Sequence, residues 1–402
     1  MVGTTTTTLD EALLRLYDTG YVTEAQNLTT PFLSSIGDAS DFTFGGSDMR
    51  FAVEMDGNES VRFGTEDGLL PTPGSVNIKQ AVVTAKELYA TFRFTGRAQA
   101  STANSSHAFT NAVNGSISDA FKRAMVYVEG ALFRDGTGAL GQVASVASTT
   151  VTIDNANIHW FRKNQSVEFF RSGSKVAGPA TITATDPANS TITIDSAAAA
   201  ALLSDNDVIY KAGTHAPGSV TAKEILGLGA AVAASGDYLG LDRDSDFPDF
   251  RGHVIDASSA ELDEDQLDRL EERIIDRGGV DLDSFKIVTS TNQRRKYLNL
   301  VRSQKQFSGL SLDAGYTSLS HNGRPMMFVY SCPADELYMG DFSKLQKYTL
   351  TGGEMKLSDI GGVIKWAPNY DAGFGYWRAY AEYAVRKPNA FGKLDNLATA
   401  TL

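Results

Sequence analysis

The chain reads as an α+β protein in which a long two-stranded arm leads into one long helix, and an all-β segment interrupts the mixed region that follows. Three observations predict this. Apolar and polar residues alternate from Met49 to Met55 and again over Val76–Val83 and Leu88–Thr95, the period of a half-covered strand. Phe109, Val113, Ile117, Phe121, Met125, Val128 and Leu132 recur at steps of four and three, which is one face of a helix. Thr150-Val151-Thr152-Ile153-Asp154 returns as Thr191-Ile192-Thr193-Ile194-Asp195, an offset of 41 residues that also carries Val167 onto Val208 and Phe169 onto Tyr210.

Residues 1–46 are an N-terminal segment ahead of the hairpin, an arm only by the family resemblance that later phrases of the chain carry. Leu9, Leu13, Leu16 and Tyr17 share one side of a short helix that Gly20 ends, and residues 26–47 show no period and no core of their own. Residues 47–98 form an extended β-hairpin, whose tip is marked by the prolines and glycines of Glu66–Gly74. A hairpin this long buries little against itself and needs a surface to lie on, which a neighbouring subunit would supply. Residues 99–140 carry the spine helix, with Ser106 as N-cap and Asp135-Gly136-Thr137-Gly138 as its stop. At 1.5 Å per residue that helix would span roughly 40 Å.

Residues 141–215 are the duplicated segment. Each copy holds a Thr/Ile strand ending in Asp and then a second strand, so the pair predicts a compact barrel or sandwich inserted into the chain. Trp160 and Phe161 are its candidate contact aromatics if it is a surface knob. The alternative is a stabilising cap with Trp160 in its small core, where large aromatics mostly sit.

Residues 216–402 alternate helices and strands. Thr221-Ala222-Lys223-Glu224 has capping-box form ahead of Ile225 and Leu226. A better-specified helix starts at Asp263, with Gln266 completing the box, Leu262 and Leu267 as a hydrophobic staple, and Leu267, Leu270 and Ile274 as the buried stripe before Gly278-Gly279. Its charge run reads as a solvated face. Strands are predicted at Phe285–Thr289, Met326–Tyr330, Leu337–Met339, Val363–Trp366 and Tyr376–Tyr383, giving a mixed α+β domain.

Several chemistries are excluded. The net charge of −12 leaves no general basic surface for nucleic acid. Arg294, Arg295, Lys296 and Arg302 form one basic cluster that could hold DNA phosphates or a neighbour's acidic patch; with the acidic Asp263 helix so near, local or intersubunit ion pairing is the favoured use. The lone Cys332 ends an apolar run before Pro333 and reads as a buried structural thiol. Gly136-Thr137-Gly138-Ala139-Leu140-Gly141 spells a dinucleotide motif, but a helix precedes it and β-structure follows, the reverse of the required context. Asp242, Asp244 and Asp246 alternate as in a calcium loop, yet Phe247 and His253 stand where glycine and glutamate are needed, which leaves only a looser surface cation site open. The histidines His107, His159, His215, His253 and His321 form no zinc pair. No stretch has the length and apolarity of a membrane span, and Met1-Val2-Gly3 with its threonines lacks a signal peptide's charged and apolar regions.

Local phrases in a fixed order add a resemblance. Phe133-Arg134-Asp135-Gly136-Thr137-Gly138 ends the spine and Leu239-Gly240-Leu241-Asp242-Arg243 follows it. Lys286-Ile287-Val288-Thr289-Ser290 and Pro333-Ala334-Asp335-Glu336-Leu337-Tyr338-Met339-Gly340-Asp341 come later. With the order of elements, these phrases make the chain resemble the major capsid proteins of tailed bacteriophages, whose fold is shared with encapsulin shells.

The resemblance covers most of residues 1–140 and 216–402 and implies a structural, non-enzymatic protein with no cofactor and no metal. It implies hexamers and pentamers of a homo-oligomeric icosahedral or prolate shell, assembled in a host cytoplasm and ending in the virion. Double-stranded DNA would be enclosed without sequence-specific binding, and scaffolding, portal and decoration proteins are the expected partners. Arg62, Glu66, Asp67, Leu69, Leu70, Lys79, Arg294 and Arg295 are the candidate intersubunit contacts. Some shells of this fold join a loop lysine to a neighbour's asparagine. Lys79 lies in the corresponding strand, but no matching acceptor is legible, so a non-covalent shell is expected. The alternatives are an encapsulin-like compartment and a β-rich carbohydrate- or partner-binding protein.

Overall fold

The computed structural model describes residues 30–39, 48–97, 100, 112–154, 157–215, 223–244, 247–280, 284–304, 319–350, 353–358, 364–366 and 370–399. The expected helix at residues 9–17, the Ser106 cap, Phe109, Thr221, Ala222, Asp246 and Val363 lie outside them. The chain forms two compact units, one built from residues 88–125 and 355–379, the other from 30–87, 126–354 and 380–399.

In the smaller unit, the strand Lys86–Thr95 and the short strands Lys356–Leu357 and Lys365–Trp366 pair with the first part of a long strand, Ala372–Val385. Trp377 anchors the helix here. Its ring lies 4.9 Å from that of Phe121, and its indole N–H donates to the Ile117 carbonyl at 3.0 Å.

The larger unit is organised by a six-stranded mixed sheet, in the order His253–Asp256, Phe391–Asp395, Leu337–Asp341, Phe285–Thr289, Arg324–Phe328, Leu319–His321. The helix Glu264–Gly278 lies on it, and Leu267, Leu270 and Ile274 are fully buried. Its N-terminus carries the Asp263/Gln266 capping box, and Gly279 ends it at φ 50°. Close packing against the sheet needs Gly392, where a Cβ would meet Leu270 Cδ1 at 2.5 Å. The charge run of this helix is only partly solvated. Glu271 is buried and paired with Arg324 at 2.8 Å, because the Leu319–Phe328 hairpin folds over it.

Three other sequence expectations are corrected. The hairpin pairs Asp48–Asp56 with Asn77–Thr84 only. The Lys86–Thr95 segment does not extend it but joins the sheet at Ala372–Val385, after a break at Ala85. The spine helix, described over Ala112–Ala131, does not keep a narrow stripe. Its C-terminal part is buried nearly all round, through Ala124, Val126, Val128, Glu129, Ala131 and Leu132. Ile225 and Leu226 are not helical, and the buried Glu224 serves Arg134 instead of an N-terminus.

The duplicated segment is a closed six-stranded barrel. Ala139–Ala147, Thr150–Asp154 and Ser166–Arg171 come from the first copy; Ser174–Asp186, Thr191–Ile194 and Val208–Lys211 come from the second. The two Thr/Ile strands pair with each other, Val151 opposite Ile192, while the third strand of each copy pairs with the first strand of the other. This ring is unchanged by a two-fold exchange of the copies. The hydrogen bonds obey it: Ile153 N–H donates to the Ser190 carbonyl (2.9 Å) as Ile194 N–H does to Thr149 (3.0 Å). Asn164 and Asn206, at φ 67° and 66°, occupy the corresponding turns. Replacing Ala139–Lys211 by a short Gly/Ser linker is expected to leave a soluble remainder, and the excised segment should fold alone. Circular dichroism checks this: a coil spectrum for the isolated segment would assign its strands to the main core.

Candidate assembly surface

The arm is anchored at its base and bare at its tip. Met49, Ala81 and Val83 are buried, and Val82 N–H donates to the Leu239 carbonyl at 2.9 Å. Leu239 and Gly240, at φ 53° and 78°, make the tight turn between Asp237–Tyr238 and Leu241–Asp242 that brings this carbonyl to the arm. Farther out, burial fades along both strands. A groove of about 770 Å³ runs beside the first strand, walled by Phe51, Val53, Phe247 and Phe250 with Arg386 and Asn389.

At the tip, Val61, Phe63, Leu69 and Leu70 are 86%, 106%, 90% and 89% exposed. Four large apolar side chains on one loop with no cover among the described residues are unusual for a surface meant to stay in water. The loop holds its own shape: Arg62 donates to the Leu69 carbonyl, and Gly74 N–H donates to Ser60 Oγ at 2.5 Å. Glu66 and Asp67 are exposed beside them. The structure therefore gathers Arg62, Glu66, Asp67, Leu69 and Leu70 on one loop. Val61 and Phe63 belong with them, and their position in the same unperiodic stretch was the signal that could have found them.

The remaining candidates lie elsewhere. Lys79 is exposed on the second arm strand, its ammonium 5.9 Å from the Phe247 ring centroid. Arg294 and Arg295 sit on the helix Thr291–Gln304, where Arg294 stacks over Phe328 at 4.6 Å and Arg295 is exposed. The ion pair expected of this basic cluster is made by Lys296, to Glu261 at 2.6 Å.

Trp160 and Phe161 are not surface contacts of the barrel. Phe161 is 3% exposed in the barrel core, and Trp160 packs against that core while its indole N–H donates to the Ser331 carbonyl at 3.0 Å. The helical turn Asn157–Trp160 puts them there, and the His159 ring lies tilted against that of Tyr330, 4.6 Å away. The same junction holds a buried ion pair that no sequence pattern announced. The Arg134 guanidinium grips Glu224 with two nitrogens and lies between the rings of Tyr127 and Trp160, at 5.1 and 5.0 Å. Burial pulls its pKa down, and the Glu224 carboxylate outweighs this and raises it. Lys211 covers the Tyr127 ring at 4.0 Å, and burial lowers its pKa.

Among the described residues, one group could ligate a metal: Asp268, Glu271 and His321. Its oxygens already serve protein donors. His321 meets Asp268 at 2.9 Å, Asn322 donates to both carboxylates, and Arg324 holds Glu271. This is a polar clasp between hairpin and helix. Cys332 is buried, and burial raises its thiol well above the ordinary value, as suits an inert side chain.

No protein-family model matches the sequence, and no curated protein does. Solved structures do match over nearly the whole chain. A chain of the cyanophage A-1(L) capsid asymmetric unit is 14% identical, with a TM-score of 0.63, covering 98% of this chain and 100% of that one. A chain from the capsid of a native GTA particle is 11% identical with a TM-score of 0.53, covering 96% of each. The holo-SrpI encapsulin complex of Synechococcus elongatus PCC 7942 gives 8% identity and a TM-score of 0.52, over 98% of this chain and 96% of that one. The chain has the fold shared by phage capsid subunits and encapsulin shells.

Proposed function

We propose that this chain is the major capsid subunit of a tailed-phage head and that its work is self-assembly. Copies form hexamers and pentamers, and these close into an icosahedral or prolate shell in the host cytoplasm. The observation that carries this reading is the full-length match in both directions to a cyanophage capsid chain, together with an arm whose apolar tip has no cover among the described residues of its own subunit. Shell stability then comes from burying such surfaces at every interface. The acidic chain, at −12, encloses DNA without gripping it, and no enzymatic step is assigned to any residue. Scaffolding, portal and decoration proteins would be its further partners.

The encapsulin likeness supports a second reading, a compartment around a cargo protein, although the cyanophage chain superposes better. Electron microscopy of the purified protein tests both. Closed shells are expected, and particles from infected cells should contain DNA. Shells filled with a single cargo protein would favour the compartment, and monomers under all conditions would overturn the shell reading altogether.

A further inference from the structure

Near its C-terminal end the spine helix buries a carboxyl group, Glu129, at 0% exposure. One oxygen accepts the Phe32 N–H at 2.9 Å, and the Leu33 N–H also bonds to the carboxyl. These amides open the helical turn Leu33–Ser35, which has no side-chain cap of its own. Glu129 thus caps, from 97 residues away, the turn through which residues 30–39 dock. The other oxygen, Oε2, is buried with no hydrogen-bond partner among the described residues.

The rest of the docking is one buried ring, a short strand pairing and the ion pair of Asp38 with Lys347 at 3.4 Å. Phe32 packs between Phe133 and Phe342, at 5.1 and 5.6 Å, and Gly37–Asp38 makes a two-residue parallel pairing with Gln346 and Lys347. Charged groups on the surrounding elements are engaged away from Glu129: Arg134 with Glu224, Lys344 with Asp341, and Lys347 with Asp38 of the segment itself. None of them contributes to the acidity of Glu129, which burial raises to about 7 against the pull of the two amides.

We propose that Glu129 is a proton-controlled latch on residues 30–39: protonated it stays buried and the segment is docked, and ionised it favours release of the segment to water. The docked form holds the proton more tightly than the open form. Docking is therefore strongest below the ordinary carboxyl pKa of 4.5 and is lost as pH rises toward and through about 7. With those two values, the opening equilibrium should rise about 70-fold between pH 5 and pH 8.

The test is hydrogen exchange of residues 30–39 in the full-length, unassembled subunit. At each pH the rate is divided by the chemical exchange rate of the same amides in an unfolded peptide of that sequence, and compared with the Glu129→Gln variant, whose amide oxygen can still accept from Phe32 but cannot titrate. Relative opening that climbs several-tenfold from pH 5 to 8 in the parent, and stays flat in Glu129→Gln, is the expected result. A flat parent, or the same climb in the variant, overturns the latch. If the variant fails to fold, the parent's protection relative to the unfolded peptide decides alone, because the peptide carries the chemical rate's dependence on pH without the docking.

Discussion

Changing Phe63, Leu69 and Leu70 together to aspartate is expected to abolish shell closure while leaving the isolated subunit as stable as its parent. The two halves of this result follow from one fact: these side chains are 89% exposed or more. Removing them takes nothing from the subunit's core, so the urea midpoint of unassembled protein should move little. In a shell their burial would supply about 1.5–3 kcal/mol per side chain. Three such losses repeated at every interface, with buried carboxylates added, exceed what a marginal contact can absorb. Sedimentation and electron microscopy check the assembly, and denaturation of the unassembled subunit checks the fold. Normal particles from the triple variant would remove the loop from the assembly surface. Unfolding of the subunit would mean that the loop packs within its own chain.

The second large effect is internal. Arg134→Ala should destabilise the larger unit by about 3–5 kcal/mol, the usual cost of stripping one partner from a buried ion pair. Arg134 and Glu224 side chains are 2% and 4% exposed, and alanine would also leave the rings of Tyr127 and Trp160 facing a void. The double change Arg134→Met with Glu224→Leu should recover most of the loss, because it removes the orphaned charge and refills the space. Urea unfolding of the two single variants and the double variant measures the coupling. Full additivity would mean that the pair is not a unit. Space beside it is tight as well, since a Cβ on Gly227 would lie 2.6 Å from the carbonyls of Ala131 and Leu132.

What could be read in advance divides along physical lines. Local signals survived wherever the interaction is local. The Asp263 capping box, the Leu267–Leu270–Ile274 stripe and the Phe285–Thr289 strand stand where the pattern put them. The repeat survived too, because two equal sequences meet the same environment when they pair with each other. The hairpin's return strand ends short of the pattern because alternation continues across Ala85 and cannot say which partner each half takes. Arg134, Glu224 and Glu129 were invisible for another reason. Their partners are 90 or more residues away, and a buried charge looks like a surface charge until its partner is known. The tip loop was legible only in part. Its prolines and glycines marked a turn, but the exposure of Phe63 depends on what the rest of the subunit fails to cover.

The exchanged strands of the barrel also fix an order of events during synthesis. Ala139–Ala147 is the first strand to leave the ribosome, and one of its two edges is reserved for Val208–Lys211, the last. The ring therefore stays open until some 70 residues have been translated, with a strand edge waiting at either end. At ribosomal speeds of roughly 5–20 residues per second that wait lasts several seconds, long against the microseconds in which a hairpin forms. For those seconds a neighbouring nascent chain offers the same missing strand. A barrel whose copies complete one another is thus most open to strand exchange between chains while polysomes are producing subunits in quantity.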